Sequence, residues 1–184
     1  FYPLFDKACR LVERTGIGNI PGVRVVYRFL FWHLWPDKSI VEVEGSKMYV
    51  SLDGLPECYR ETFRSYISFS NWEKPTTEMF KRVVREDVVV DLGANIGYFT
   101  LLAARLVGKS GKVYAFEPEP INYSLLTKNI ELNRYDNVVS VQKAVSNVKG
   151  TVKLFLSDTD TGAHTLRQHP SGWKFATTHS GAFV

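Results

Sequence analysis

The 184-residue sequence is short of several things, and each shortage removes a class of function. Its two cysteines, Cys9 and Cys58, are too few and too far apart for a disulfide framework or a Cys/His metal cluster, and they fit a reducing, cytoplasmic setting. Lys and Arg are in excess, with a net charge of +4 and a pI near 9.0, yet they never gather into a run that would form a nucleic-acid arm. No apolar stretch approaches the ~20 residues needed to cross a bilayer. The strongest candidate, Val25 to Trp35, contains Arg28 and His33. Nor is a signal peptide expected, because Asp6 and other charges precede that stretch and no small-residue cleavage pattern follows it. Repeats and low-complexity tracts are also missing.

What is present has the balance of a folded protein. Hydrophobic residues make up 45% and charged residues 23%, which predicts one domain with an extension. Three zones follow from the patterning. The first, 1–72, has helical spacing interrupted at Gly16, Gly18, Pro21 and Gly22, then an aromatic helix-like stretch ending at Pro36. Next comes SIVEVEGSKMYVS over Ser39 to Ser51, whose alternation on either side of Gly45 predicts a β-hairpin. The aromatic segment Tyr27 to Trp35 reads as core packing or a cover for the sheet edge, with peripheral membrane contact as the other reading.

The second zone, 73–166, alternates strand and helix in the order that builds a parallel sheet, an α/β architecture. A helix is predicted over Glu78 to Arg85, with Phe80, Val83 and Val84 on one face, then a short buried strand at Val88 to Val90. Phe99, Leu102, Ala103 and Leu106 give an amphipathic helix that ends at Gly108. A strand over Lys112 to Phe116 follows. Pro120 then opens a helix that stops near Asn133 and has Ile121, Leu125 and Leu132 on a shared face. Val138 to Val145 and Thr151 to Leu156 are expected as further strands. The third zone, 167–184, carries no sustained periodicity and is expected to be an irregular tail.

The chemistry concentrates in VVVDLGANIGYFT, Val88 to Thr100, where a strand ends in Asp91, passes Gly93 and Gly97 and enters a helix. In open α/β sheets ligands bind at the carboxyl ends of the strands, and a glycine turn lets backbone approach them closely. A dinucleotide calls for G-x-G-x-x-G, whereas this loop reads G-x-x-x-G. Asp91 would also repel a pyrophosphate in a partly desolvated cleft. S-adenosylmethionine, with an ammonium and a sulfonium and no phosphate, suits that acid. Glu117, 26 residues further on at the end of the adjacent strand, can accept hydrogen bonds from two ribose hydroxyls. Taken singly, Asp91 reads equally as a cap or turn acid and Glu117 as a surface residue. Placed together at consecutive strand ends, they point to the cofactor. Asn95 either contacts the ligand or stabilises the turn. Gly108, Lys109 and Ser110 imitate the end of a phosphate-binding loop, but they fall at the end of a helix and Ala103 stands where the earlier glycine belongs.

DLGANIGYFT at Asp91 to Thr100, AFEPEP at Ala115 to Pro120, KNIELN at Lys128 to Asn133 and KAVSN at Lys143 to Asn147 together resemble the FkbM family of methyltransferases, over about Trp72 to Leu166. That resemblance implies a class I, Rossmann-like S-adenosylmethionine-dependent enzyme, an O-methyltransferase acting on a hydroxyl of a sugar, polyketide or other small molecule, with no nucleic-acid partner. It implies that Asp91, Gly93, Ala94, Asn95 and Gly97 form the methionine-side loop and that Glu117, followed by Pro118, holds the ribose. Ala144 would lie near the adenine. Glu73 matches an acidic position of the family and would approach the methionine part, although a solvated loop acid explains it better. The family continues with a motif like I-K-I-D-V-E-G, and RQHPSGWKFATTHSGAFV after Leu166 does not match it. The sheet is therefore expected to be incomplete, as in a truncated, non-catalytic remnant. No base is assigned, His164 being a loop histidine that reads as a surface residue. A nucleic-acid methyltransferase ranks last, since neither an N-P-P-Y tetrad nor a clustered basic face is found.

Overall fold

The computed structural model describes residues 38–52, 73–84, 88–146 and 150–155, with 164, 165, 180–182 and scattered positions between 8 and 29. Both cysteines and all of the aromatic segment Tyr27 to Trp35 except Phe29 lie outside the described residues.

The hairpin forms as its alternation predicts. Strands β1 (Lys38–Val43) and β2 (Ser46–Ser51) pair antiparallel, with Val43 opposite Ser46. Glu44 and Gly45 both have positive φ, 49° and 80°, the hand of two-residue turn that matches strand twist. Val41, Val43, Met48 and Val50 point inward from alternate positions, while Lys38, Ile40, Glu42 and Lys47 face out.

Helix α1 (Lys74–Val83) leads to β3 (Val88–Leu92), α2 (Tyr98–Val107), β4 (Lys112–Phe116), α3 (Pro120–Asn133) and β5 (Val138–Val141). The three strands are parallel in the order β3-β4-β5, so the expected α/β fold is present. Leu92, Phe116 and Val141 stand in register, which brings the carboxyl ends of all three strands level. Pro120 opens α3 and Gly108 caps α2, both as expected, and the Gly108-Lys109-Ser110 triplet sits at a helix end.

Several expectations about packing and strand extent are corrected. Val88 and Val90 were expected in a buried strand, yet Val88, Val90 and Leu92 are exposed. The reason is that Phe80 and Val84 at the end of α1 and Ala103, Ala104 and Val107 of α2 all pack on the opposite side, with Val89, Val113 and Val138. Val83, expected inward on α1, is 67% exposed, while Thr77 is the buried residue of that helix. On α3 the apolar face was expected through Ile121, which is 70% exposed; the buried residues are Asn122, Leu126, Asn129 and Ile130. Finally, β6 (Thr151–Lys153) does not join the parallel sheet. It pairs antiparallel with β7 (Ser180–Ala182), three residues of the tail expected to be irregular. The strand expected over Val138 to Val145 ends at Val141.

The hairpin sits against the helices. Its inward residues form one core with Leu52, Ile96, Tyr98 and Leu101. Polar ties fix the turn: Lys81 Nζ lies 2.6 Å from Glu44 Oε2, Arg105 donates to the Glu44 carbonyl at 3.1 Å, and the Ser46 and Tyr135 hydroxyls are 2.7 Å apart. Among the described residues no helix is long and apolar enough to cross a membrane.

Candidate functional site

The glycine loop turns back on the strand beside it. Gly93 and Ala94 N–H groups both donate to the Phe116 carbonyl, at 2.9 and 3.0 Å, and Gly97 N–H donates to the Ala94 carbonyl at 2.9 Å. Three residues take positive φ: Gly93 at 79°, Asn95 at 51° and Gly97 at 101°. The two glycines are required for different reasons. A Cβ on Gly97 would stand 2.9 Å from Leu126 Cδ1 of α3, so the buried Leu126 side chain would have to shift in addition to the strain of positive φ. A Cβ on Gly93 would meet nothing within 4 Å, so at that point the loop borders open space.

Two carboxylates frame this space. Asp91, in β3, accepts a hydrogen bond from the Thr100 hydroxyl of α2 at 2.5 Å. Burial pushes its carboxyl above the usual range, partly offset by that bond. Glu117 follows β4 directly and is only 5% exposed. Its Oε2 accepts from the Asn95 amide at 2.7 Å and its Oε1 from the Glu119 amide at 2.9 Å. Burial raises its carboxyl too, against the lowering effect of those two amides, with the neighbouring charge of Glu119 adding to the rise. Among the described residues neither acid has a cationic partner. Two desolvated acids without a counter-charge at level strand ends make a place that favours a cation.

The remaining expected residues fall around this frame. Ala94 is buried against Ala115, Leu126 and Ile130, so only its backbone borders the loop. The Asn95 side chain turns inward, its Oδ1 accepting from the Ile96 amide at 2.7 Å. Pro118 is half-buried between Glu117 and Glu119, and Glu119 caps α3 by accepting from the Asn122 amide at 2.6 Å. Ala144 is buried three residues beyond β5, at the same edge of the sheet. Glu73 stands apart: it is exposed at the start of α1 in a left-handed conformation. Its charge is a minor influence on Tyr98, whose hydroxyl is raised chiefly by burial. His164 is half-buried and adjoins the short bridge between Phe155 and Thr165. No group of His, Cys, Asp or Glu among the described residues is arranged to hold a metal ion.

Sequence reasoning missed Asn129. It is fully buried on α3 and donates to the Ile96 carbonyl of the glycine loop at 2.8 Å. The signal lay within KNIELN, where Asn129 and Asn133 are four apart on a helix and so share a face.

The TRM5/TYW2 methyltransferase domain matches residues 63–155, half of the chain. This chain belongs to that family. The TRM5/TYW2 domain is also similar, at 39% identity over 74 residues, to a tRNA(Phe) (4-demethylwyosine(37)-C(7)) aminocarboxypropyltransferase of Methanocaldococcus jannaschii, covering 38% of this chain and 29% of that protein. It is 38% identical over 79 residues to the methyltransferase sdnD of Sordaria araneosa, covering 42% of this chain and 30% of that protein. The matches thus span under a third of those curated relatives. Among solved structures, TYW2 of P. horikoshii in complex with MeSAdo aligns with a TM-score of 0.46 at 22% identity, covering 62% of this chain and 39% of that one.

Membership places the TRM5/TYW2 domain among class I S-adenosylmethionine-dependent transferases, with S-adenosylmethionine as cofactor. The likeness to FkbM proteins holds at that coarser level only. Two expectations are overturned by the match. A small-molecule hydroxyl acceptor and the exclusion of nucleic acid both conflict with a family and a relative of tRNA-modifying enzymes. The physical reason is that the expectation rested on the loop and strand-end acids, whose chemistry bears on a donor and has nothing in it to distinguish a sugar hydroxyl from a nucleotide as acceptor.

Proposed function

We propose that this TRM5/TYW2 domain binds S-adenosylmethionine in the crevice at the carboxyl ends of β3, β4 and β5 and serves an enzyme that transfers a group from it to tRNA. The observation that carries the reading is the pair of a half-buried Asp91 and a buried Glu117, on either side of a glycine loop and without a counter-charge among the described residues. The donor brings what these groups lack: an ammonium, a sulfonium and ribose hydroxyls, with the sulfonium making its attached carbons electrophilic.

The residue assignments follow from position. Asp91 attracts the ammonium end, and the backbone of Gly93, Ala94, Asn95 and Gly97 lines the methionine side, with open space over Gly93. The Glu117 carboxylate accepts two backbone amides and the Asn122 side chain, and of its about four lone-pair sites it keeps one for a ribose hydroxyl. Pro118 and Ala144 border the adenine, and Glu73 stands as an outer acid. Residues 73–166 act as the donor-binding unit, and the catalytic base stays unassigned. A net charge of +4 has the sign that a polyanionic acceptor requires, and a cytoplasmic setting goes with a tRNA substrate.

Isothermal titration with S-adenosylmethionine and, separately, NAD tests the donor site. Micromolar binding of the first alone, weakened at least tenfold by Asp91→Ala and by Glu117→Ala, is expected; a folded chain that binds neither ligand sinks the reading. The acceptor is tested by incubating the protein with bulk tRNA and donor labelled either in the methyl or in the carboxyl carbon. Label in acid-precipitable tRNA is expected from one of the two. Donor binding without label from either would remove tRNA as acceptor and leave the donor site standing.

A further inference from the structure

The hairpin reads in sequence as an accessory layer, but the structure ties it to the glycine loop through α3. In the antiparallel register, Lys47 and Tyr49 are the β2 residues whose backbone groups point away from β1. Both are met by asparagine amides. Tyr49 N–H donates to Asn129 Oδ1 at 2.6 Å, and Asn129 Nδ2 donates back to the Tyr49 carbonyl at 3.2 Å. One step along, Lys47 N–H donates to Asn133 Oδ1 at 2.7 Å and Asn133 Nδ2 returns a bond to the Lys47 carbonyl at 2.6 Å. Four residues of helix rise about 6 Å and two residues of strand about 6.8 Å, so the two spacings match. The face of α3 thus serves as a third strand for the hairpin.

The two asparagines differ in their remaining donor: that of Asn133 reaches the Asn129 carbonyl within α3 at 2.8 Å, whereas that of Asn129 reaches the glycine loop. Through this bond to the Ile96 carbonyl, the single acceptor and both donors of Asn129 are engaged. Ile96 is held on three sides. Its amide is bound by the Asn95 side chain, its carbonyl by Asn129, and its side chain is buried among Val41, Val43, Met48 and Val50 of the hairpin. The preceding amide, Asn95, is held from the strand side by Glu117.

The geometry points to Asn129 as a positioning residue that, with the hairpin it clamps, sets the conformation of the glycine loop opposite Glu117. This rests on reading the crevice as the donor site. The test compares Asn129→Asp with Asn133→Asp, near-isosteric changes that each remove two donors from the clamp, only the first touching the loop. Asn129→Ser, which shortens the side chain without burying a charge, covers a failure of Asn129→Asp to fold. Amide hydrogen exchange at Asn95, Ile96 and Gly97, without ligand, is expected to accelerate at least tenfold in the Asn129 variants and less than twofold in Asn133→Asp, although both loosen β2. S-adenosylmethionine binding is expected to weaken about tenfold in the first and less than twofold in the second. Equal loop exchange in the two sets of variants overturns the proposal. A wild-type chain that binds no S-adenosylmethionine overturns the donor-site reading instead, and the exchange comparison still decides the role of Asn129.

Discussion

At the scale of single residues, the two loop glycines separate conformation from packing. Gly97→Ala combines positive φ with a 2.9 Å approach to Leu126 and is expected to destabilise the fold by about 3 kcal/mol, read from denaturant unfolding. Gly93→Ala faces only the conformational cost, about 1 kcal/mol, but puts a methyl group into the crevice and is expected to impair donor binding more than stability. Protonation gives a second test. Asp91 and Glu117 both have carboxyls raised by burial, so the folded state holds their protons more tightly than the unfolded chain does. Their unfavourable contribution is absent below the ordinary carboxylate pKa and complete above the raised one. Stability from these two groups therefore falls as pH rises through that window. A cationic donor needs them ionised, so its affinity should move the opposite way, weakening as pH drops through the raised values. Calorimetry in two buffers of different ionisation heat should show proton release on binding at the lower end of the window.

At the scale of elements, local periodicity carried most of the information. The strand before Asp91, the strand Lys112–Phe116, the Gly108 stop and the Pro120 start were legible because each depends on neighbours within a few residues. The inward face of α3 was not, because it buries Asn122 and Asn129 and turns Ile121 to solvent. Polar side chains go inside when backbone groups need them, and the edge of β2, some eighty residues away, supplies that need. The contrast can be measured. Leu126→Ala, at a fully buried position, should cost about 3 kcal/mol, while Ile121→Lys on the same helix should stay within about 0.5 kcal/mol. Leu126→Ala should also relieve part of the Gly97→Ala clash, so the double variant is expected to be more stable than the sum of the two losses predicts.

At the scale of the whole molecule, the sequence showed the donor and hid the acceptor. Asp91, the glycines and Glu117 fall at strand ends that any parallel β-α-β order brings level, so their meeting could be anticipated. The nature of the acceptor depends on surfaces that these residues do not form, and an absent N-P-P-Y tetrad was too narrow a criterion to exclude nucleic acid. The hairpin clamp has one more consequence, for the order of folding. The β3 to β5 unit closes through short connections, whereas Asn129 and Asn133 reach back 80 and 86 residues to β2. Closing so long a loop costs entropy before any contact repays it, which favours docking of the hairpin after the parallel sheet has formed. In stopped-flow experiments Asn133→Asp should therefore leave the refolding limb almost unchanged and steepen the loss through faster unfolding, making the clamp a latch on the lifetime of the native state rather than a seed for its formation.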